Sequence, residues 1–268
     1  MNFDPPIFFL AAIIGLVVGS FLNVVITRGP ALWGLTDEET ILGSFWGPRS
    51  KCPSCRQQIR SWHNIPVVSY IILRGRCADC NASIGARYPL VELLGALSAL
   101  IAISLFGISM AALFAAIFMW MLIALGFIDF ETGYLPDAIT FPMIALGLLA
   151  SIMNLFVSFP AAIIGAFAGY SSFWLIATAY RHLRDREGLG MGDAKLLGAL
   201  GAWSGWTLLA PIVFTSSLAA LCLIAISTMR GREFDSESEI RFGPALAIAG
   251  ALIFIASNSS IAANWFWI

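Results

Sequence analysis

Charge is scarce in this chain. Only 12% of its 268 residues are Asp, Glu, Lys or Arg, and the runs 5–27, 93–128, 138–180, 196–229 and 242–268 contain none at all. A soluble core does not leave stretches of that length uncharged, so the scarcity excludes an ordinary soluble domain. Net charge is scarce too: 15 Lys and Arg against 16 Asp and Glu leave −1. That balance excludes a nucleic-acid binder, which carries a basic surface. Histidine is limited to His63 and His182, with no HExxH pair to hold a catalytic zinc.

Other signatures stop short. Gly188-Leu-Gly-Met-Gly does not continue as G-x-G-x-x-G and follows no strand pattern, so it is no dinucleotide site. Ala202-Trp-Ser-Gly205 lacks the first glycine of the GxSG found in serine intramembrane proteases, and no helix-borne histidine accompanies it.

What is present is apolar. Hydrophobic residues make up 59% of the chain, and about 20 apolar residues suffice to cross a hydrocarbon core. Dividing the long runs near Gly107-Ile108-Ser109, Ser158-Phe159-Pro160 and Ala210-Pro211 predicts about eight transmembrane helices, an all-α polytopic protein. The first, over 7–26, is expected to be retained, because nothing basic precedes it and no small-residue cleavage pattern follows. Eight spans with the N-terminus outside put all fifteen basic residues on one face. Eight lie in the loop after the first span, four between the fifth and sixth, and three between the seventh and eighth. The positive-inside rule makes that face cytoplasmic. The expected parts are a first helix over 1–27, a cytoplasmic domain over 28–89 and a seven-helix membrane domain over 90–268.

The 28–89 stretch holds Cys52-Pro-Ser-Cys55 and Cys77-Ala-Asp-Cys80. Two CxxC knuckles at this separation have the spacing of a four-thiolate zinc ribbon. Two disulfides or four free thiols are the alternatives, and a cytosolic setting disfavours the disulfides. With four protein thiolates no coordination position stays open, so the metal would be structural. Cys222, alone in an apolar run, reads as a packing residue.

Three acidic residues stand at membrane edges. Asp129 closes the run "ALGFID", Asp137 opens the next run, and Asp193 follows Gly190-Met-Gly. An ionisable group at membrane depth is a functional candidate by default. Asp137 and Asp193 also suit helix N-caps; Asp129 does not, since a helix C-terminus disfavours a carboxylate. Two facing carboxylates can divide acid and base roles, one activating water and one donating to a carbonyl. The helix ends suggest that Asp193 holds the charge and Asp129 the proton. Gly190 and Gly192 let the chain bend and a substrate strand approach. Lys195, on another helix face from Asp193, either snorkels toward lipid phosphates, the expected course, or sits near the pair, where Asp137, Gly190 and Gly192 would also support the site.

Taken in order, Gly190-Met-Gly-Asp193, Ile128-Asp129, Leu135–Asp137, "GSFLNVVITRGP", "CPSC", "WHNIPVVSYIILRGRCADC", "RYPLVEL", "GDAKLLGALGAW" and "FGPALAIAG" resemble the bacterial type IV prepilin peptidase family over nearly the whole chain. The resemblance implies a membrane aspartic protease removing the basic leader of type IV prepilins and pseudopilins after a glycine, with Asp129 and Asp193 as the catalytic pair. It further implies methylation of the new N-terminal amine from S-adenosylmethionine, and Gly75 falls in the stretch linked with methyl transfer. Prepilins, pseudopilins and membrane lipid are the implied partners, and the bacterial inner membrane the location. Asp37, Glu38, Glu39 or the 233–239 acidic run could meet the basic leader, although solvated loop charge explains them as well. Gly29 and Arg241 depart from the family, which more often has an apolar residue and a proline there. A leader peptidase without methyl transfer and a proton-coupled transporter are the alternatives. A transporter is expected to carry midplane carboxylates and inverted repeats, and neither is visible.

Overall fold

The computed structural model describes residues 4–36, 44–184, 190–229 and 241–259. Among them the protein is helical and contains no strand, only isolated antiparallel bridges at Ser44–Gly47, Lys51–Gln58 and Arg76–Ser83. Two compact units divide the chain, Met1–Ala124 and Leu125–Ile268.

The first unit contains α1 (Pro5–Leu32), the five-residue α2 (Val68–Ile72), α3 (Arg87–Phe106) and most of α4 (Met110–Thr132). α1 runs past its charge-free stretch through Arg28 to Leu32. The Arg28 guanidinium is buried yet satisfied: Nη1 donates to the carbonyls of Ser44 and Gly47, and Nη2 to that of Pro48. Small residues let α1 and α3 touch backbone to backbone. A Cβ at Gly19 would stand 2.6 Å from Cα of Glu92, and one at Gly95 would stand 2.9 Å from Cα of Gly19. Close backbone approach of this kind holds helices together where lipid removes the hydrophobic driving force.

The second unit takes the end of α4, then α5 (Asp137–Ile152), α6 (Phe159–Arg184), α7 (Met191–Ser204), α8 (Leu209–Met229) and α9 (Gly243–Ser257). α7 lies at its centre, packed against α5, α6 and α9. All of its residues from Asp193 to Ser204 are buried except Lys195. A side chain at Gly169 of α6 would press on the Leu197 carbonyl, and one at Gly147 of α5 on the Trp203 indole. Trp203 in turn donates to the Met143 carbonyl at 2.8 Å. Fourteen residues of helix are about 21 Å long, shorter than a hydrocarbon core.

Among the described residues, four helices are long and apolar enough to cross a membrane: α1, α3, α4 and α6. α5, α9 and the apolar stretch 206–222 are shorter. The break at 153–158 takes in only Ser158 of the expected Ser158-Phe159-Pro160, since Phe159 and Pro160 already open α6, and that at 107–109 falls where the sequence places it. The third lies elsewhere. Instead of Ala210-Pro211, the chain turns at Gly205, whose φ of 75° suits glycine. Pro211 sits in the first turn of α8, where its missing N–H has no helical partner to lose.

Candidate functional site

Two sets of residues carry chemistry, one in each unit. In the second unit, Asp129 occupies the last turn of α4 and Asp193 the first turn of α7. Their relative exposures are 5% and 8%. Each keeps one carboxylate oxygen, Oδ2 of Asp129 and Oδ1 of Asp193, without a hydrogen-bond partner among the described residues. The two carboxylates lie near enough to act on each other electrostatically. An unpartnered buried carboxylate is costly in an apolar surrounding, and two that repel are costlier.

Local structure aims both groups. α4 ends at Gly133, whose N–H donates to the Asp129 carbonyl at 2.8 Å. The Gly243 N–H, at the start of α9, donates to the Asp129 carboxylate. Asp193 is the third residue of α7 and not its cap; Gly190 holds the cap position. The Gly190 N–H points back to the Asp193 carboxylate, while the Asp193 N–H bonds the Gly190 carbonyl at 3.1 Å. The first of these contacts is the returning half of a capping box; Gly190 has no side chain to supply the other half. Gly192 faces Leu135, with room for no side chain: a Cβ there would stand 2.9 Å from that of Leu135.

Asp137 is the first residue of α5 after Pro136 and makes no capping bond to its own helix. Its Oδ1 accepts from Nζ of Lys195 at 2.6 Å. Lys195 therefore pairs across to α5 and does not snorkel, its ammonium 5.4 Å from the centre of the Phe141 ring. Arg241 donates to the Phe130 carbonyl and reaches Asp129 electrostatically. Reasoning from sequence named neither Arg241 nor Gly243 as part of this site; their place 111 and 114 residues after their partners left no local signal. The acidic residues 37–39 and 233–239 lie outside the described residues.

In the first unit, all four cysteines of the knuckles are free thiols, and their sulfurs lie within 4.8 Å of one another. Sγ of Cys52 and of Cys80 are 3.8 Å apart, and zinc at about 2.3 Å from four tetrahedral sulfurs sets them about 3.8 Å apart. The two knuckles repeat each other. Arg56 and Asn81, each directly after the second cysteine, both have φ of 58°. Their N–H groups bond the Cys52 and Cys77 carbonyls at 2.9 and 3.0 Å. The N–H of Cys55 on the Cys52 sulfur lowers that thiol to about 7. Although the Ala82 N–H on its sulfur works the other way, burial and the three crowding thiols push Cys80 up to about 12. Four sulfurs so close ionise together only around a cation, so the donor set fits a thiolate-bound dication.

Gly75, with φ of 67°, turns the chain from α2 into the second knuckle. Its N–H bonds the Tyr70 carbonyl at 2.8 Å and its carbonyl takes the Ile84 N–H at 2.7 Å. A Cβ there would stand 3.0 Å from the Tyr70 hydroxyl. Beside the knuckles a cleft of about 300 Å³ is lined by, among others, Val24, Trp46, Arg49, Ser61 and Asn64.

Residues 13–106 match the family model of the bacterial peptidase A24 N-terminal domain, and residues 116–225 that of the type IV leader peptidase family. A prepilin leader peptidase/N-methyltransferase of Neisseria gonorrhoeae is 45% identical, the alignment covering 96% of this chain and 93% of the relative. Proteins of the same name from Burkholderia pseudomallei strain 1026b and Pseudomonas aeruginosa are 44% and 40% identical, with 90% and 89% of this chain and 82% and 86% of the relatives covered. No solved structure matches the chain.

Proposed function

This chain belongs to the type IV leader peptidase family, and from that premise we propose that it is a membrane aspartic endopeptidase with a second, methyl-transferring activity. It cleaves the basic leader from type IV prepilins and pseudopilins after a glycine, then methylates the new N-terminal amine. Apolar helices and family together point to a protein of the bacterial inner membrane. The observation that carries the peptidase reading is the pair Asp129 and Asp193, buried, mutually repelling and each with an unpartnered oxygen. Stability alone gives no reason to keep such a pair.

Two buried carboxylates that feel each other's charge hold one proton between them and titrate as a unit. The ionised partner takes a proton from water, whose oxygen attacks the scissile carbonyl carbon. The protonated partner gives its proton to the carbonyl oxygen. Collapse of the tetrahedral intermediate breaks the C–N bond as the carboxyl that took the water proton passes it to the departing nitrogen and its partner regains a proton from the geminal diol, leaving the leader's carboxyl and the pilin's free amine. Gly190 and Gly243 keep side chains off the carboxylates of Asp193 and Asp129, and Gly192 lets α7 begin close against Leu135.

Eight spanning helices, with α5, α7, α8 and α9 completing the four longer ones, agree with the one-sided distribution of basic residues. That orientation sets the N-terminus in the periplasm and Asp129 and Asp193 at the cytoplasmic boundary. A leader's cleavage site, lying between basic and apolar segments, sits at the same level. Cys52, Cys55, Cys77 and Cys80 would hold a structural zinc in the domain that carries methyl transfer. S-Adenosylmethionine supplies an electrophilic methyl group. The cleft beside the knuckles suits such a ligand: Trp46 offers a stacking face, Arg49 a cation for a carboxylate, and Ser61 and Asn64 hydrogen-bonding groups. Gly75 supports this domain through its turn against Tyr70.

Co-expression of a prepilin with wild type, Asp129→Asn or Asp193→Asn tests the peptidase. Each substitution is expected to stop leader removal, and retained cleavage in both sinks the aspartic mechanism. Labelled S-adenosylmethionine, offered with already cleaved pilin, reads the second activity separately. Transfer is expected to survive both substitutions, and its absence in wild type leaves a leader peptidase alone.

A further inference from the structure

The Asp137–Lys195 pair has a position that neither stability nor the chemistry of the carboxylate pair explains. Lys195 stands two residues after Asp193, and Asp137 eight after Asp129, so the pair stands at the same mouth as the two buried carboxylates. It joins the first turn of α5 to the second turn of α7. The side chains are 52% and 26% exposed, so solvent screens their attraction. Only Oδ1 of Asp137 is engaged, and Oδ2 has no partner among the described residues. The mouth thus presents a half-exposed carboxylate already shown to accept an ammonium at 2.6 Å, next to an aromatic ring that also attracts cations.

Resting on the leader-peptidase reading, we propose that Asp137 is the docking carboxylate for a lysine or arginine side chain of the substrate's leader, and that Lys195 occupies this position in the free enzyme. The arriving cation takes Asp137, and Lys195 swings to solvent, which its four-carbon stem and partial exposure permit. The exchange keeps the number of ion pairs constant, so a neutral leader gains nothing from it. A basic leader gains alignment, since Asp137 opens α5 directly after the short link from α4, which carries Asp129. Selection for a basic segment beside the scissile bond then comes from a residue that takes no part in proton transfer. Asp137 is a specificity residue and Lys195 its internal competitor.

The test pairs enzyme and substrate charges, using the full chain purified in detergent and prepilins whose leader cations are changed one at a time to Gln. Asp137→Asn is expected to raise KM for the parent leader about tenfold with kcat nearly unchanged, the size of one charge-assisted hydrogen bond. Against the leader lacking the docked cation, wild type and Asp137→Asn are expected to be equal. Lys195→Met, which keeps the stem over Phe141 but removes the competitor, lowers KM for the parent leader. The double variant Asp137→Lys with Lys195→Asp retains the cross-helix pair and thereby controls for folding; it is expected to prefer a leader with Glu at the docked position. Equal KM increases for parent and neutralised leaders in Asp137→Asn would reduce the pair to a strut and overturn the proposal. So would a double variant that still prefers the basic leader. If wild type cleaves neither leader, the peptidase reading itself is at fault, an outcome distinct from both.

Discussion

The backbone of Gly243 closes over the carboxylate of Asp129: a Cβ at Gly243 would stand 2.6 Å from Oδ2 and 2.8 Å from the carboxyl carbon. Backbone and carboxylate are the two things that meet there, so a methyl group must move one of them. Gly243→Ala is expected to swing Asp129 out of register with Asp193. A displacement near 1 Å at a reacting group costs about 100-fold in rate, whereas overpacking costs about 1–3 kcal/mol of stability. Leader-cleavage kinetics beside thermal unfolding of the same preparation separate the two. Cleavage within a few-fold of wild type would show that α9 yields freely and does not position Asp129.

A second contact sets the depth of α7. The Trp203 indole is buried, donates to the Met143 carbonyl at 2.8 Å, and lies edge-on to Phe254. Trp203→Phe keeps most of the packing but leaves that carbonyl without its donor, an expected loss of about 1–3 kcal/mol. Gly147→Ala attacks the same junction from the other side, its Cβ meeting the indole at 2.7 Å. Because both act on one contact, the double variant is expected to lose less than the sum of the two. Thermal unfolding of the three proteins gives the comparison, and strict additivity counts against a shared mechanism.

How much of this was legible beforehand depends on sequence distance. Charge-free runs place the long helices because a charge in hydrocarbon is expensive over any short window, and the break at 107–109 carries its own glycine and serine signal, whereas Pro160 draws the next one late, past its true place at 153–158. The break at Gly205 misleads because Pro211 looks like the stronger breaker, yet proline suits a first turn. α1 outruns its apolar stretch because Arg28 finds three carbonyls that only the folded loop supplies. The repeated cysteine knuckles are local, and so are the glycines before Asp193. The Lys195–Asp137 pair spans 58 residues and the Arg241–Phe130 bond 111. Neither has a local pattern, and a lysine beside a membrane reads as a snorkeller until its partner is seen.

Glu92 offers a third test, inside the first unit. Buried on α3, it accepts the Val67 N–H at 2.7 Å and holds that residue at φ of 61°, a conformation that a β-branched side chain rarely adopts. Glu92→Gln still offers an acceptor and is expected to fold nearly as well as wild type. Glu92→Leu leaves the N–H orphaned, with an expected loss of about 1–3 kcal/mol. The turn before α2 should then open, giving faster amide exchange over 65–70 in the leucine variant only. Equal protection in both variants would mean that the turn holds itself.

The cysteine cluster separates three chemical states by measurement. A zinc-bound set predicts one zinc per chain, no disulfide, and four thiols that resist alkylation until a chelator is added. Two disulfides would instead require sulfur pairs about 2.05 Å apart, against the 3.8 Å between Cys52 and Cys80 and four free thiols. Four uncoordinated thiols would alkylate without a chelator and bind no metal. The gathering of four sulfurs within 4.8 Å, with Cys52 and Cys80 at the 3.8 Å spacing of tetrahedral zinc ligands, argues for the first state. Cys80→Ser is expected to lower zinc content well below one per chain. The knuckles repeat each other's turns and hydrogen bonds, so Cys55→Ser is expected to match it. Metal content by mass spectrometry of the intact protein, with alkylation before and after chelation, distinguishes the states. Leader cleavage should persist in the metal-free protein more fully than methyl transfer, because Asp129 and Asp193 belong to the other compact unit. Equal loss of both would tie the knuckles to the carboxylate pair.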